Sequence, residues 1–440
     1  MLDRTLSLDD DVVAERLTTL ADGLTEDGYL RSPEWRRAFL RVRRHAFVPR
    51  FWRDEAPGEF PGRWRMLDRA TADRHEWLDA VYSNMTLATE LTPVPLRDGS
   101  GVYPQVTSST TMPGLVMAML EDLDITDGMH VLEIGTGTGY SAALLCERLG
   151  VDHVTSIDIG PELIALARVR LAEHGYEPHL ISGDGAQGAP AGAPWDRIVA
   201  TCGLDEVPQA WIDQTREGGK ILLNLMGAFN GFALVLLTVT DGRASGRFLR
   251  QTGGFMPRRT NPAVPHEYTV VIAEPGSGIS DGHTELDPAE LHSDSTWGLL
   301  AQTTQPGVVS RQVYVDDNEH LGTEFATSGG AWALVHHDRT EAGYLVRQAG
   351  PRRIWDELVT LHQQWCARSP RLRPLRDHPE HRRHSALARR TGRTPVGAAH
   401  RPTHAGTAVV LDPAEPGRDT CARPGQPDFT AAAPDPVVGR

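Results

Sequence analysis

Lysine is almost absent from this chain. Of 44 basic residues among 440, only Lys220 is lysine and the others are arginine, a bias that reads as base composition rather than chemistry. Cysteine is scarce as well. Cys146, Cys202, Cys366 and Cys421 are scattered with no C-x-x-C pair, which argues for free thiols and against a disulfide framework or a zinc site. His336-His337-Asp338 is no better as a metal ligand set, because adjacent residues do not share a face of a helix or strand. No apolar run approaches the ~20 residues that span a bilayer, so no membrane partner is expected. Met1–Asp10 has neither the basic head nor the apolar segment of a secretory signal, and a cytoplasmic protein is expected. Positive charge is also deficient, with 58 acids giving a net charge of −14. Residues 371–440 run the other way, with 12 arginines against 7 acids, so the acidic excess lies wholly in the body. An acidic body argues against nucleic acid as a partner, because phosphate binding needs a basic surface. The arginine-rich end could be read as a nucleic-acid arm. Its aperiodic mix of Pro, Ala, Gly, Arg and His favours a disordered tail instead.

What is present is concentrated in one stretch. Val131-Leu-Glu-Ile-Gly-Thr-Gly-Thr-Gly-Tyr140 joins an apolar strand to a turn with glycine at every second position, and Ser141–Leu149 then has helical character. Strand, bare-backbone turn and helix form a nucleotide cradle, since glycine lets a ligand approach the main chain. The spacing is G-x-G-x-G, not the G-x-G-x-x-G of dinucleotide binding, and Glu133 precedes it. This suits S-adenosylmethionine (SAM) better than NAD. A second strand, His153–Ile157, ends at Asp158, where a carboxylate can accept from both hydroxyls of a ribose. Helix Glu162–Ala172 and strand Pro178–Ser182 lead to Gly183-Asp184-Gly185, which can set a carboxylate near an adenine amine. Trp195–Thr201, helix 208–216, the turn Glu217–Lys220 and strand Ile221–Leu225 continue the alternation, which predicts a parallel sheet covered by helices on both faces. Each acid taken singly could instead be a helix cap or a solvated loop residue; the ordered set is the stronger signal.

Around this core, Asp9–Ala21 and Pro33–Phe47 have apolar residues at helical spacing. Residues 56–104 are punctuated by Pro and Gly and read as a loop-rich cover in which Trp64, Trp77 and Tyr82 belong to the core. Phe232–Val239 suits a buried strand and Gly253–Pro265 a linker. Tyr268–Ile272 and Trp332–His336 read as strands, and Arg353–Cys366 as a last helix. The expected organisation is thus a helical and loop cover over 1–104, the nucleotide-binding core over 105–250, an accessory unit over 266–370 and the tail over 371–440.

Residues 105–225 resemble the protein-L-isoaspartate O-methyltransferases. The resemblance rests on Glu133 and the glycine turn, on Gly183-Asp184-Gly185, on the strand ending at Thr201, on Val207–Lys220 and on the entrance segment Arg36–Pro49. It implies a Rossmann-like class I SAM-dependent methyltransferase, α/β in class, here with an N-terminal helical lead-in and a C-terminal α+β extension. The family's Ser-x-Pro step, whose hydroxyl meets the substrate carboxylate, reads Thr111-Met112-Pro113 here, after Thr107–Thr110. The resemblance therefore places SAM against Gly135, Thr136, Gly137, Gly139 and Gly185, with Glu133 at its methionyl end, Asp158 at the ribose and Asp184 at the adenine. It places Thr111, with Ser109 or Thr110 behind it, on the acceptor carboxylate. Thr111 as a plain helix N-cap is the alternative. A carboxylate acceptor, with an unperturbed pKa near ~3.9, is ionised at neutral pH and needs no general base, which fits the lack of a Ser-His-Asp or Cys-His set.

The chain is also similar to longer homologues found in ribosomal-peptide (graspetide and lanthipeptide) biosynthetic clusters. Trp77–Asn84, Thr284–Pro288, Leu299–Gln302 and Val346–Glu357 carry that likeness. It implies methylation of an aspartate in a modified precursor peptide, giving an aspartimide that either persists or hydrolyses to isoaspartate, with residues 266–370 recognising the peptide. Two readings compete with it: general repair of isoaspartyl (D-aspartyl) protein, and a silent peptide-binding scaffold.

Overall fold

The computed structural model describes residues 10–57, 62–95, 101–227, 229, 231–251, 253–261, 278–293, 295–305, 307–316, 319–368 and 410–411. The expected strand at 268–272 and the expected tail, apart from 410–411, lie outside them.

Helix α1 (Asp10–Glu26) turns Val13, Leu17, Leu20, Ala21 and Leu24 inward, the stripe of a helix buried on one face. Helix α2 (Pro33–Arg41) starts at Ser32, whose hydroxyl accepts from the Trp35 amide, with proline at the first helical position. Where one helix is expected over 33–47, extended backbone at Val42 and Arg43 divides it, and α3 (Arg44–Phe47) follows. The expected loop cover is likewise corrected. Strands β1 (Arg50–Asp54), β2 (Trp64–Asp68), β3 (Leu87–Pro95) and β4 (Val102–Thr110) pair antiparallel in the order β2-β1-β3-β4, with helix α4 (Arg74–Val81) between β2 and β3. Trp77 and Tyr82 are buried core residues, and Trp64 is half-buried.

Helix α5 (Pro113–Asp122) leads into the alternating core: β5 (Val131–Ile134), α6 (Tyr140–Leu149), β6 (Val154–Asp158), α7 (Pro161–Glu173), β7 (His179–Ser182), β8 (Trp195–Leu204), α8 (Gln209–Gln214) and β9 (Thr215–Met226). Strands β10 (Phe232–Thr240) and β11 (Arg243–Phe248) form a hairpin whose two-residue turn, Asp241-Gly242, has positive φ at both positions. The sheet runs β11-β10-β9-β8-β5-β6-β7, parallel from β9 through β7, and the short strand Val410–Leu411 lies beside β11. All four residues of β5 are buried, as a strand covered on both faces requires. One face of the sheet shares a core with the N-terminal helices, joining Trp35, Phe39, Phe47 and Trp77 to Leu144, Leu145 and Leu171. The other packs Ile198, Ile221 and Leu237 around Trp195 and Trp211. The chain order reverses between β5 and β8, and ligands bind beyond the carboxyl ends of strands at such a switch point.

The C-terminal unit has its own core. Strands β12 (Ser280–Thr284), β13 (Val309–Asp316), β14 (Glu319–Ala326), β15 (Trp332–Thr340) and β16 (Gly343–Ala349) form an antiparallel sheet in the order β12-β16-β15-β14-β13. With α9 (Glu290–Ser293), α10 (Ser295–Thr304) and α11 (Ile354–Arg368), this sheet encloses Trp297, Phe325, Trp355, Leu358 and Trp365. Phe229, between β9 and β10, joins that cluster.

Candidate active site

A cavity of about 390 Å³ lies at the switch point. One wall is the turn after β5, where Gly135 (φ +100°) and Gly137 (φ +52°) hold the left-handed backbone that the glycine spacing anticipates. A Cβ on Gly135 would stand 2.5 Å from the Thr201 hydroxyl, which donates to the Gly135 carbonyl at 2.8 Å, so no other residue fits this bend. Gly135, Thr136, Gly137 and Gly185 all line the cavity. At Gly185 a Cβ would meet the Ile134 side chain at 2.5 Å. Gly139 does not line it. It begins α6, where a Cβ would press on Ala167 and Leu171 at 3.3–3.4 Å, so its role is close helix packing.

The three acids are placed differently from one another. Asp158, at the tip of β6, lines the cavity and accepts from the Gly137 amide through Oδ2 and the Gly160 amide through Oδ1, both at 2.9 Å. Each oxygen keeps a lone pair, so the carboxylate shapes the turn and can still accept from a ribose. Glu133 lies one layer behind the cavity and is wholly buried. Its carboxyl accepts from the Ser141 hydroxyl, which lines the cavity, and from the Ser156 hydroxyl at 2.6 Å, which is in turn 2.6 Å from the Thr136 hydroxyl. Burial pushes its pKa up to about 7, against the two serine hydroxyls that favour the charged form. Asp184 caps the turn after β7 by accepting from the Ala186 amide at 3.0 Å, and Arg258 Nη1 donates to the same oxygen at 2.8 Å.

Arg258 belongs to a segment that the sequence presents as a linker. Residues 253–261 instead cross the carboxyl end of β8: the Gly203 amide donates to the Met256 carbonyl, and the Arg258 amide to the Gly203 carbonyl, each at 2.8 Å. Phe255, Met256 and Arg258 thereby line the cavity, as does Cys202, whose thiol burial pushes up to about 12. The signal for this segment is tertiary; only the aromatic residue and proline after two glycines hint that it is ordered.

The opposite wall is β4 and the residues after it, Gln105 to Met112. Two of its hydroxyls are engaged within the sheet: Thr107 with Glu90 and Thr92, both at 2.9 Å, and Ser108 with Thr89 at 3.0 Å. Those of Ser109, Thr110 and Thr111 line the cavity and have no protein hydrogen-bond partner among the described residues. Thr111 is not the N-cap of α5. That position is Met112, whose amide donates to the Thr86 hydroxyl at 3.1 Å. A Cβ on Gly137 would stand 3.6 Å from the Ser109 carbonyl, so the glycine turn and the hydroxyl wall meet. Acids and bare amides on one side and unengaged hydroxyls on the other can hold two different substrates against each other. Among the described residues no group of His, Cys, Asp and Glu has metal-binding geometry, and no helix is long and apolar enough to cross a membrane.

Comparison with known proteins gives a family. The sequence model described as protein-L-isoaspartate(D-aspartate) O-methyltransferase matches residues 69–235. A protein-L-isoaspartate O-methyltransferase of Hyperthermus butylicus is 32% identical over 249 residues, covering 54% of this chain and 87% of that protein. One of Thermococcus sibiricus is 31% identical over 254 residues, covering 57% and 96%. One of Gloeobacter violaceus is 36% identical over 174 residues, covering 39% and 79%.

Proposed function

Because this chain belongs to the protein-L-isoaspartate O-methyltransferase family, a family of SAM-dependent methyltransferases, we propose that it methylates the side-chain carboxylate of isoaspartyl residues in proteins or peptides. The observation that carries this reading is the row of unengaged hydroxyls at Ser109, Thr110 and Thr111, set against a nucleotide cradle with no histidine among the described residues that line it. When bound, SAM supplies a methyl group activated on a sulfonium. The chain's own residues do the rest. Asp158 and the main chain at Gly135, Gly137 and Gly185 hold the donor, while Asp184, which does not itself line the cavity, stands behind the adenine end and accepts from Arg258, which does. The turn fits that donor because Gly137 leaves the main chain bare on the cavity side, where an added Cβ would meet nothing nearer than the Ser109 carbonyl at 3.6 Å. Glu133 acts through Ser141, whose hydroxyl it orients toward the methionyl end. Thr111 and its neighbours donate to the acceptor carboxylate, fixing one oxygen toward the donor. Such placement supplies proximity and orientation, which suffice for an acceptor already ionised at neutral pH.

A second, narrower reading is favoured by the part of the chain outside the family match. Residues 278–368 build a separate sheet with its own tryptophan-rich core. We infer that this unit recognises a particular peptide, and that the acceptor is an aspartate of a modified precursor peptide, converted through its methyl ester to an aspartimide. One experiment separates the two. The full-length protein with SAM is offered short isoaspartyl peptides of unrelated sequences and their aspartyl counterparts, and methyl gain is followed by mass spectrometry. Methylation of the isoaspartyl set alone supports the first reading. Rejection of that set, with methylation of an aspartate in one ring-bearing peptide followed by loss of methanol, supports the second. No methyl transfer to any of them overturns both.

A further inference from the structure

The entrance segment 36–49 carries a residue to which the donor and acceptor sites assign no part. Arg44 is fully buried. Its Nη1 donates to the carbonyls of Val81 at 2.7 Å and Ser83 at 3.0 Å, and its Nη2 to those of Met85 at 2.9 Å and Thr111 at 3.2 Å. The guanidinium carbon lies 5.9 Å from the centroid of the Tyr140 ring. Among the described residues no carboxylate pairs with it. Burial lowers its pKa only to about 10, so it remains a cation at neutral pH.

Folds seldom bury a cation without an anion, because desolvation disfavours it. The four carbonyls that solvate this one come from two segments, the Thr111 end of the acceptor wall and the 81–85 loop that leads into it. Residues 81–85 lead directly to Thr86, which lines the cavity and accepts from the Met112 amide. In the same loop Asn84 accepts from the Gly114 amide at 2.8 Å. The fourth carbonyl belongs to Thr111, whose hydroxyl faces the acceptor. Tyr140, under the guanidinium, lines the cavity as well. Arg44 therefore holds two pieces of the acceptor side from behind, Thr111 and the 81–85 loop, and touches the donor side only through the Tyr140 ring at the start of α6.

We propose that Arg44 is the positioning residue of the acceptor site. Its planar fork fixes the Thr111 main chain against the 81–86 loop, and its uncompensated charge, one layer behind the hydroxyls, favours an anionic acceptor over a neutral one. Lysine cannot reproduce the first effect, because its donors radiate from one point and do not span two segments in a plane. It can reproduce the second. The charge acts on a carboxylate and not on its methyl ester, so it promotes peptide binding and ester release and leaves the cationic donor unaided.

This inference rests on the carboxyl-methylation reading, and its test keeps the two apart. Wild-type protein, Arg44→Met and Arg44→Lys are compared with an isoaspartyl peptide for kcat and KM and with S-adenosylhomocysteine by calorimetry. Arg44→Met is expected to raise the peptide KM at least tenfold and to lower kcat, with S-adenosylhomocysteine affinity within twofold of wild type. Arg44→Lys is expected to restore KM but not kcat. Unchanged kcat and KM in Arg44→Met overturn the proposal, and so does a parallel loss of peptide and S-adenosylhomocysteine affinity, which marks a merely structural role. A second measurement needs no variant. The wild type should bind the carboxylate peptide at least tenfold more tightly than its carboxamide analogue, and equal affinities overturn the proposal even if Arg44→Met does not fold. A wild type that methylates no carboxyl peptide overturns the underlying reading instead.

Discussion

Glu133 offers the sharpest quantitative test of how the donor side is built. Its carboxyl is wholly buried, and its folded pKa of about 7 stands above the ordinary 4.5. Folding therefore favours the protonated form. The group's contribution is greatest below pH 4.5 and is lost as pH rises toward 7, where the buried site must lose its proton. At about 1.4 kcal/mol per pH unit, the displacement amounts to about 3 kcal/mol, and some 2–3 kcal/mol of it falls between pH 5 and pH 8. In Glu133→Gln the side chain keeps its shape and cannot ionise. The Ser141 and Ser156 hydroxyls that donate to it can rotate to meet one donor and one acceptor. The difference in melting temperature, variant minus wild type, should then grow with pH. At about 2–4 °C per kcal/mol for a unit of this size, the gain between pH 5 and pH 8 is about 5–10 °C. Other carboxylates titrate in both proteins and cancel in the difference. A pH-independent difference would refute the reasoning, whatever its sign, because a misfitted glutamine shifts every pH alike.

Asp158→Asn leaves one acceptor where Gly137 and Gly160 each donate to a different oxygen, and calorimetry should show S-adenosylhomocysteine affinity lower by about 10–100-fold, the worth of charged hydrogen bonds of about 1.5–3 kcal/mol. Gly135→Ala forces a Cβ into the Thr201 hydroxyl at positive φ, so the melting temperature should fall by the equivalent of about 1–3 kcal/mol and S-adenosylhomocysteine should no longer raise it. Thr111→Val should lower peptide kcat/KM by about 10–100-fold with S-adenosylhomocysteine affinity unchanged, and Thr111→Ser should stay near wild type; a valine variant as active as wild type removes the hydroxyl from the mechanism.

The donor side was legible in the sequence because it is written in local chemistry. A run of apolar residues, a glycine rhythm and an acid at the next strand tip are contiguous signals, and β5, α6, β6 and α7 lie where they place them. The acceptor side is not local. Strands β3 and β4 carry Thr92 and Pro93 opposite Gln105 and Pro104, with Thr107 and Ser108 further along β4, a Pro- and Thr-rich composition that reads as loop although Gln105, Thr107 and Ser108 line the cavity. The 253–261 segment has no periodicity at all and is held by two main-chain bonds to Gly203. The break at Val42–Arg43 was hidden for a related reason. Helical spacing continues across it in the sequence, while the extended backbone there brings Arg44 inward to four carbonyls distant in the chain.

That break connects the lead-in to function. Had α2 run on to Phe47, Arg44 could not meet carbonyls as far apart in sequence as Val81 and Thr111. A three-dimensional clamp of this kind has a physical advantage over an ion pair at the same place. A carboxylate partner would neutralise the guanidinium and cancel its field, whereas carbonyl dipoles stabilise the cation and leave its net charge acting across the wall. On the far side, the Glu133 and Asp158 carboxyls are held by hydroxyls and amides and likewise have no cationic partner among the described residues. The Arg258–Asp184 ion pair lies farther along the carboxyl edge and is partly exposed, where pairing is worth less than about 1 kcal/mol. On the proposed reading the Asp158 carboxylate stands on the donor side and the buried Arg44 behind the acceptor wall, opposite charges suited to a cationic donor and an anionic acceptor, while Arg258 and Arg259 also line the cavity.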